Sequence, residues 1–184
     1  AANNLLHVTP TLTEGFDYFW DEGQITRPVL VKMLYKTAWY WDEDQSRGDD
    51  ITALALDWVD RLSPTGRPWF LFLNYLDPHA PYRPPEADRM LFAPEVDPNT
   101  IAGASQQYNS GGRALDTATC AAMRGLYDGE VRAVDRAVGR LLEALQQRGY
   151  DEKNLYVVIT ADHGENLCEH GVVGHQLGGL YDTV

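Results

Sequence analysis

The sequence predicts an α/β fold, a mainly parallel or mixed sheet flanked by helices, on three observations. The runs Trp69–Leu76 and Leu155–Thr160 are short and almost wholly apolar, the pattern of strands covered on both faces. Each follows a segment whose apolar residues recur at spacings of three and four, as on one face of a helix. Each ends in a polar loop that carries a histidine: Asp77-Pro78-His79 after the first run and Asp162-His163-Gly164-Glu165 after the second. Helix, buried strand and loop, repeated, is the α/β pattern. In such sheets ligands bind beyond the carboxyl ends of the strands.

Residues 1–47 hold many aromatics, among them Phe16, Trp20, Trp39 and Trp41, without clean periodicity; short strands or helical turns under loops are expected there. Asp49 and Asp50 offer a helix cap. Ile51, Leu54, Ala55, Trp58, Val59 and Leu62 share the face of the helix that follows, and Ser63-Pro64-Thr65-Gly66 ends it. After the first apolar run, Pro78 and Pro81 make the His79 loop stiff and non-helical. Residues 83–112, rich in Pro, Asn, Ser and Gly, read as a long loop excursion on the surface. Asp116 or Thr117 caps the next helix, whose later turns carry Val131, Val134, Val138, Leu141, Leu142 and Leu145, with Gly149 as the stop.

A chain of 184 residues with 44% hydrophobic and 11% aromatic residues can build one domain with a core. Its acids outnumber its bases by 27 to 15, which excludes nucleic acid as the expected partner, because phosphate backbones need clustered Lys and Arg. The acidic surplus and the scarcity of lysine (Lys32, Lys36 and Lys153) fit a halophile or a GC-rich genome. No apolar run is long enough for a transmembrane segment, and no signal peptide is visible. Cys120 and Cys168 make no disulfide framework in a chain this long. Cys120 reads as a small buried hydrophobe, and Cys168 as a buried thiol too, with a ligand role as the lesser alternative because several histidines are close. These readings tilt the expected location towards the cytoplasm rather than secretion.

The candidate chemistry lies in the loops. Asp162 and His163 together offer one oxygen and one nitrogen to a cation at a strand end, a donor pair suited to Mn, Zn or Mg; the competing reading is a capping Asp162 beside a surface His163. His79, held between prolines, is placed to donate to an anionic oxygen or protonate a leaving group, or else to pack on Tyr82. His175 follows Gly174 in a glycine-rich stretch that lets backbone approach a ligand closely; an incidental histidine in a flexible loop is the alternative. His170 has a local partner in Glu169. No H-E-x-x-H, P-loop or G-x-S-x-G motif occurs.

Three stretches taken together resemble the sulfatase family of the alkaline-phosphatase-like superfamily. They are Pro68 to Tyr82, with its strand and D-P-H-x-P-Y loop; the helix around Tyr127-Asp128-Gly129-Glu130; and Leu155 to Glu165, continuing through Gly174-His175 to Leu180-Tyr181-Asp182. The resemblance implies an alkaline-phosphatase-like α/β fold in which residues 1–184 are an incomplete part of one catalytic domain. It implies that Asp162 and His163 ligate a divalent metal (Ca, Mg, Mn or Zn), and that His79 and His175 act as catalytic and substrate-binding groups on the sulfate or phosphate oxygens. The family reaction is attack on sulfur or phosphorus by a metal-bound nucleophile, so the implied partner is a small-molecule sulfate or phosphate ester. Sulfate ester hydrolysis leads. Phosphate or phosphonate ester hydrolysis or phosphoryl transfer, a non-catalytic binding domain, and a zinc module of His163, His170, His175 and Cys168 are the alternatives.

The family's C/S-x-P-x-R nucleophile motif and its early acidic pair do not occur in this sequence, so the chain is expected to be an internal fragment. An incomplete sheet would expose edges and apolar surface and make the chain prone to self-association. The 184-residue chain by itself is therefore expected to turn over neither an aryl sulfate nor a phosphate monoester; turnover that disappears in Asp162→Ala would contradict this.

Overall fold

The computed structural model describes residues 48–109, 111 and 114–175. The aromatic segment 1–47 and the stretch Leu180-Tyr181-Asp182 lie outside the described residues. The chain forms two compact units, one from Ala1–Asp77 with Val134–Gly149, the other from Pro78–Ala133 with Tyr150–Val184.

In the first unit, α1 (Gly48–Leu62) buries Ile51, Ala55 and Val59, one residue per turn, which is the stripe the sequence predicts. Its cap differs from the expectation. The Asp77 carboxylate accepts the Gly48 N–H at 3.0 Å, while Asp49 and Asp50 occupy the first turn. There they place negative charge at the positive end of the helix dipole. Buried Thr52 donates to the Ala137 carbonyl at 3.2 Å and shares a 2.9 Å bond with the Tyr75 hydroxyl. Arg148 clasps Asp60 through two bonds of 2.7 and 2.8 Å, and this hydrogen bonding holds the Asp60 carboxyl below its usual range.

The second unit is built around residues 117–133 of α4, the helix that spans Thr117–Gln147. Asp116 caps it, accepting the Thr119 N–H at 2.7 Å, and Gly149, with a positive φ of 86°, follows its end. The core of this unit gathers Tyr82, Ala93, Ile101, Met123, Leu126 and Val173. Two glycines let the chain before α4 lie directly on it. A Cβ at Gly125 would come within 2.6 Å of the Phe92 carbonyl oxygen, and one at Gly129 within 2.9 Å of Pro84. Arg132 pairs with the fully buried Asp88, and the Glu130 carboxylate accepts the Arg83 N–H.

Two expectations are corrected, and one is not met among the described residues. Residues 83–112 are no loop excursion: they contain α2 (Glu86–Phe92) and α3 (Pro98–Asn109). Their starts were legible in Pro85-Glu86 and Asp97-Pro98, since proline suits a helix's beginning and Asp97 accepts from Asn99 N–H and the Thr100 hydroxyl. Trp69–Leu76 and Leu155–Thr160 form no ladder among the described residues, whose only sheet is the antiparallel pair β1 (Asn166–Leu167) and β2 (Val173–Gly174). A strand apolar on both faces needs flanking strands for its backbone and helices for its side chains. Among the described residues nothing supplies that cover, and Phe70 is 75% exposed and Tyr156 98%. Cys120 and Cys168 are neither a lone hydrophobe nor a ligand but a disulfide, a pairing that spacing alone does not reveal. Disulfides persist in oxidising compartments, so the ground for a cytoplasmic tilt is gone. Among the described residues no helix is long and apolar enough to cross a membrane.

The disulfide closes a loop with a sequence separation of 48, for which chain entropy gives a stabilisation of about 4 kcal/mol. Urea unfolding with and without reductant should show a lower midpoint for the reduced chain. Identical midpoints would mean that the bridge adds nothing.

Candidate functional site

The site lies wholly in the second unit and draws on two loops and one hairpin. The His79 loop enters the core through Tyr82, which is buried and meets Tyr127 edge-on with ring centroids 5.5 Å apart. The Ala80–Pro81 peptide bond is cis. The second loop runs from Asp162 to Glu165 into β1. The hairpin pairs Asn166 with Gly174 and Leu167 with Val173, so Glu165 and His175, the residues just outside its open end, stand side by side.

Three fastenings hold the hairpin's far end. Cys168 is bonded to Cys120 on α4, Arg124 of α4 pairs with Glu169 at 3.1 Å, and the Tyr108 hydroxyl donates to the Gly171 carbonyl at 2.6 Å. The turn requires left-handed backbone at Cys168 (φ 79°) and His170 (φ 54°). At the open end, the buried Asn166 amide donates to the Gly174 carbonyl at 2.9 Å.

Three imidazoles converge there. The ring of His175 lies 5.4 Å from that of His79 and 4.1 Å from that of His163, centroid to centroid. Each has its Nδ1 turned to an acceptor: His79 to the Ala80 carbonyl at 2.6 Å, His163 to the Gly164 carbonyl at 2.8 Å, and His175 to Glu165 Oε1. A nitrogen facing a carbonyl or carboxylate oxygen carries the hydrogen, so Nε2 is the atom each ring offers. Deprotonated, Nε2 can bind a cation; protonated, it can donate to an anion.

Glu165, absent from the residues singled out in the sequence, is the centre of the cluster. Its side chain is only 5% exposed. Oε1 takes His175, and Oε2 accepts the Tyr82 hydroxyl at 3.2 Å. Burial above all, and then the charge of Glu165, push the Tyr82 hydroxyl far above its ordinary value, so it stays a donor. His79, Glu165 and His175 each bring a ligand atom within 4.8 Å of the others.

The sequence candidates thus divide. His79, His163 and His175 come together. Asp162 sits at the rim with its side chain 85% exposed; its Oδ1 accepts the His163 N–H at 3.0 Å and its Oδ2 lies 3.9 Å from His163 Nε2. The zinc module does not form, because the Cys168 sulfur is covalently engaged and His170 lies in the exposed turn. The signal for Glu165 was its place directly after the Asp162-His163-Gly164 turn. That for Tyr82 was its place at the end of the proline loop.

A family model described as Sulfatase matches residues 4–182. The chain belongs to the sulfatase family. That family has the alkaline-phosphatase-like α/β fold. Among curated relatives, an endo-4-O-sulfatase of Bacteroides thetaiotaomicron is 28% identical over 84% of this chain and 30% of its own length. An uncharacterized sulfatase of Escherichia coli, YdeN, is 30% identical over 82% of this chain and 23% of its own. The multifunctional alkaline phosphatase superfamily protein PehA of Trinickia caryophylli is 27% identical over 59% and 26%. The sulfatase-family chain therefore spans under a third of the length of these relatives. No solved structure matches significantly.

Because the hairpin positions both Glu165 and His175, loss of the buried Asn166 amide should weaken it. Asn166→Ala should lower unfolding stability by about 1–2 kcal/mol. An unchanged urea midpoint would contradict that.

Proposed function

We propose that the sulfatase-family chain supplies half of a metal-dependent active site for hydrolysis of sulfate esters, with Asp162 and His163 holding a divalent metal and His79 and His175 holding the sulfate oxygens. The observation that carries this reading is the convergence of His79, His163 and His175 from two loops and a hairpin end.

The donor set at Asp162 and His163 fits a divalent ion in part. A carboxylate oxygen and an imidazole Nε2 face one another 3.9 Å apart, and an oxygen–nitrogen pair suits a hard or borderline ion. Two ligands are fewer than such an ion takes, so the remaining ligands would come from other protein groups or water. When bound, the ion supplies Lewis-acid polarisation of a substrate oxygen.

The chain's own residues would orient and neutralise. His79 and His175, each with Nδ1 occupied, present Nε2; protonated there, they would donate to the anionic sulfate oxygens and stabilise charge as a nucleophile supplied by another segment bonds to sulfur and the S–O bond to the leaving alcohol breaks. His79 would also return a proton to that alcohol. The similarity to PehA, named for the alkaline phosphatase superfamily, supports phosphate esters as the second substrate class.

Calorimetric titration with Mn²⁺ tests the metal assignment. Asp162→Asn and His163→Ala should each weaken Mn²⁺ binding at least about tenfold, while His79→Ala leaves it nearly unchanged. Mn²⁺ binding that is indifferent to Asp162 and His163 but lost in His79→Ala would overturn the proposal.

A further inference from the structure

We infer that Glu165 is a positioning residue for His175, locking the imidazole so that Nε2 is the atom offered to the substrate, and that the Tyr82 hydroxyl locks Glu165 in turn. The inference deepens the proposed function and rests on it for the identity of the ligand.

A carboxylate with a 5% exposed side chain has lost its water, and such a group is costly unless both oxygens are bonded. Both are: Oε1 by His175 Nδ1, Oε2 by the Tyr82 hydroxyl. The two partners differ in kind. Tyr82 is anchored in the core beside Met123, Leu126 and Val173 and cannot follow the carboxylate if it turns. His175 is part-exposed, at 33% of its side chain, and carries a free Nε2. The chain of contacts therefore runs from a rigid group, through a buried acceptor, to a group open to ligand. A carboxylate behind an imidazole fixes its tautomer and its ring orientation. His79 and His163 have the same Nδ1 arrangement, but against carbonyls of adjacent residues; His175 alone of the three is held by a side chain, and one that can be replaced without altering backbone.

The test is a long-range ¹H–¹⁵N spectrum of the imidazoles in the full chain, labelled at histidine, at pH about 9, well above the ordinary imidazole range. His175 of the unmodified chain should show hydrogen on Nδ1. Glu165→Leu, which cannot accept, should move the hydrogen to Nε2. Glu165→Gln, whose carbonyl still accepts, should keep it on Nδ1. Hydrogen on Nε2 in the unmodified chain would overturn the inference even if no variant folds, and so would an unchanged tautomer in Glu165→Leu. Titration with inorganic sulfate at pH about 5, below the ordinary imidazole range, where both ring nitrogens carry hydrogen and Nε2 can donate, separates the two claims. Glu165→Leu should weaken sulfate binding about tenfold and Glu165→Gln much less. If the unmodified chain ignores sulfate while the tautomers behave as stated, the oxyanion role of His175 fails and the positioning by Glu165 stands.

Discussion

The Glu165 carboxylate ties the interior of the second unit to its candidate site. One of its oxygens is bonded to Tyr82, a core residue, and the other to His175, a residue open to ligand. A buried charge of this kind constrains its surroundings more strongly than an apolar contact does. If either partner moves away, an oxygen is left without solvent or hydrogen bond, at a cost of a few kcal/mol. The geometry of His175 is thus coupled to whatever fixes Tyr82. That includes the edge-on packing on Tyr127 and the close approach to α4 allowed by Gly125 and Gly129.

The hairpin faces the opposite problem. Two residue pairs form too small a ladder to stand alone in water, yet it must keep Glu165 and His175 adjacent. Its distant end is tied down instead, by a covalent bond to α4, an ion pair to α4 and a hydrogen bond from α3. The left-handed backbone at Cys168, unusual for a residue with a side chain, is tolerated where a covalent bond fixes the turn. Here the fold places its strongest local constraint away from the three imidazoles and leaves them part-exposed.

Much of this was legible in the sequence. The spacing of Ile51, Ala55 and Val59 marked α1, Asp116 and Gly149 marked the limits of α4, and the three site histidines stood out because each sits in a proline- or glycine-bounded loop. Other features were not. The apolar runs at Trp69 and Leu155 carry a strand's composition, but a ladder depends on neighbours that composition does not describe. The helices at Glu86 and Pro98 were passed over because the Pro, Asn, Ser and Gly around them read together as loop, although Pro85 and Asp97-Pro98 also suit helix starts. Cys120 and Cys168 are brought together only by the path of the chain through the second unit. Glu165 went unremarked because its role arises from Tyr82 and His175, each far from ordinary helical or strand spacing to it.

On the proposed function, cation and oxyanion occupy different groups of this cluster: Asp162 with His163 for the first, His79 with His175 for the second. The most direct measurement is a diffraction structure of the chain soaked in Mn²⁺ and sulfate, with the metal located by its anomalous signal. The anomalous peak is expected between the Asp162 carboxylate and His163 Nε2, with sulfate against Nε2 of His79 and His175. A peak enclosed by His79, Glu165 and His175, whose donor atoms also lie close enough to share an ion, would mean that the cation takes the groups assigned here to the oxyanion.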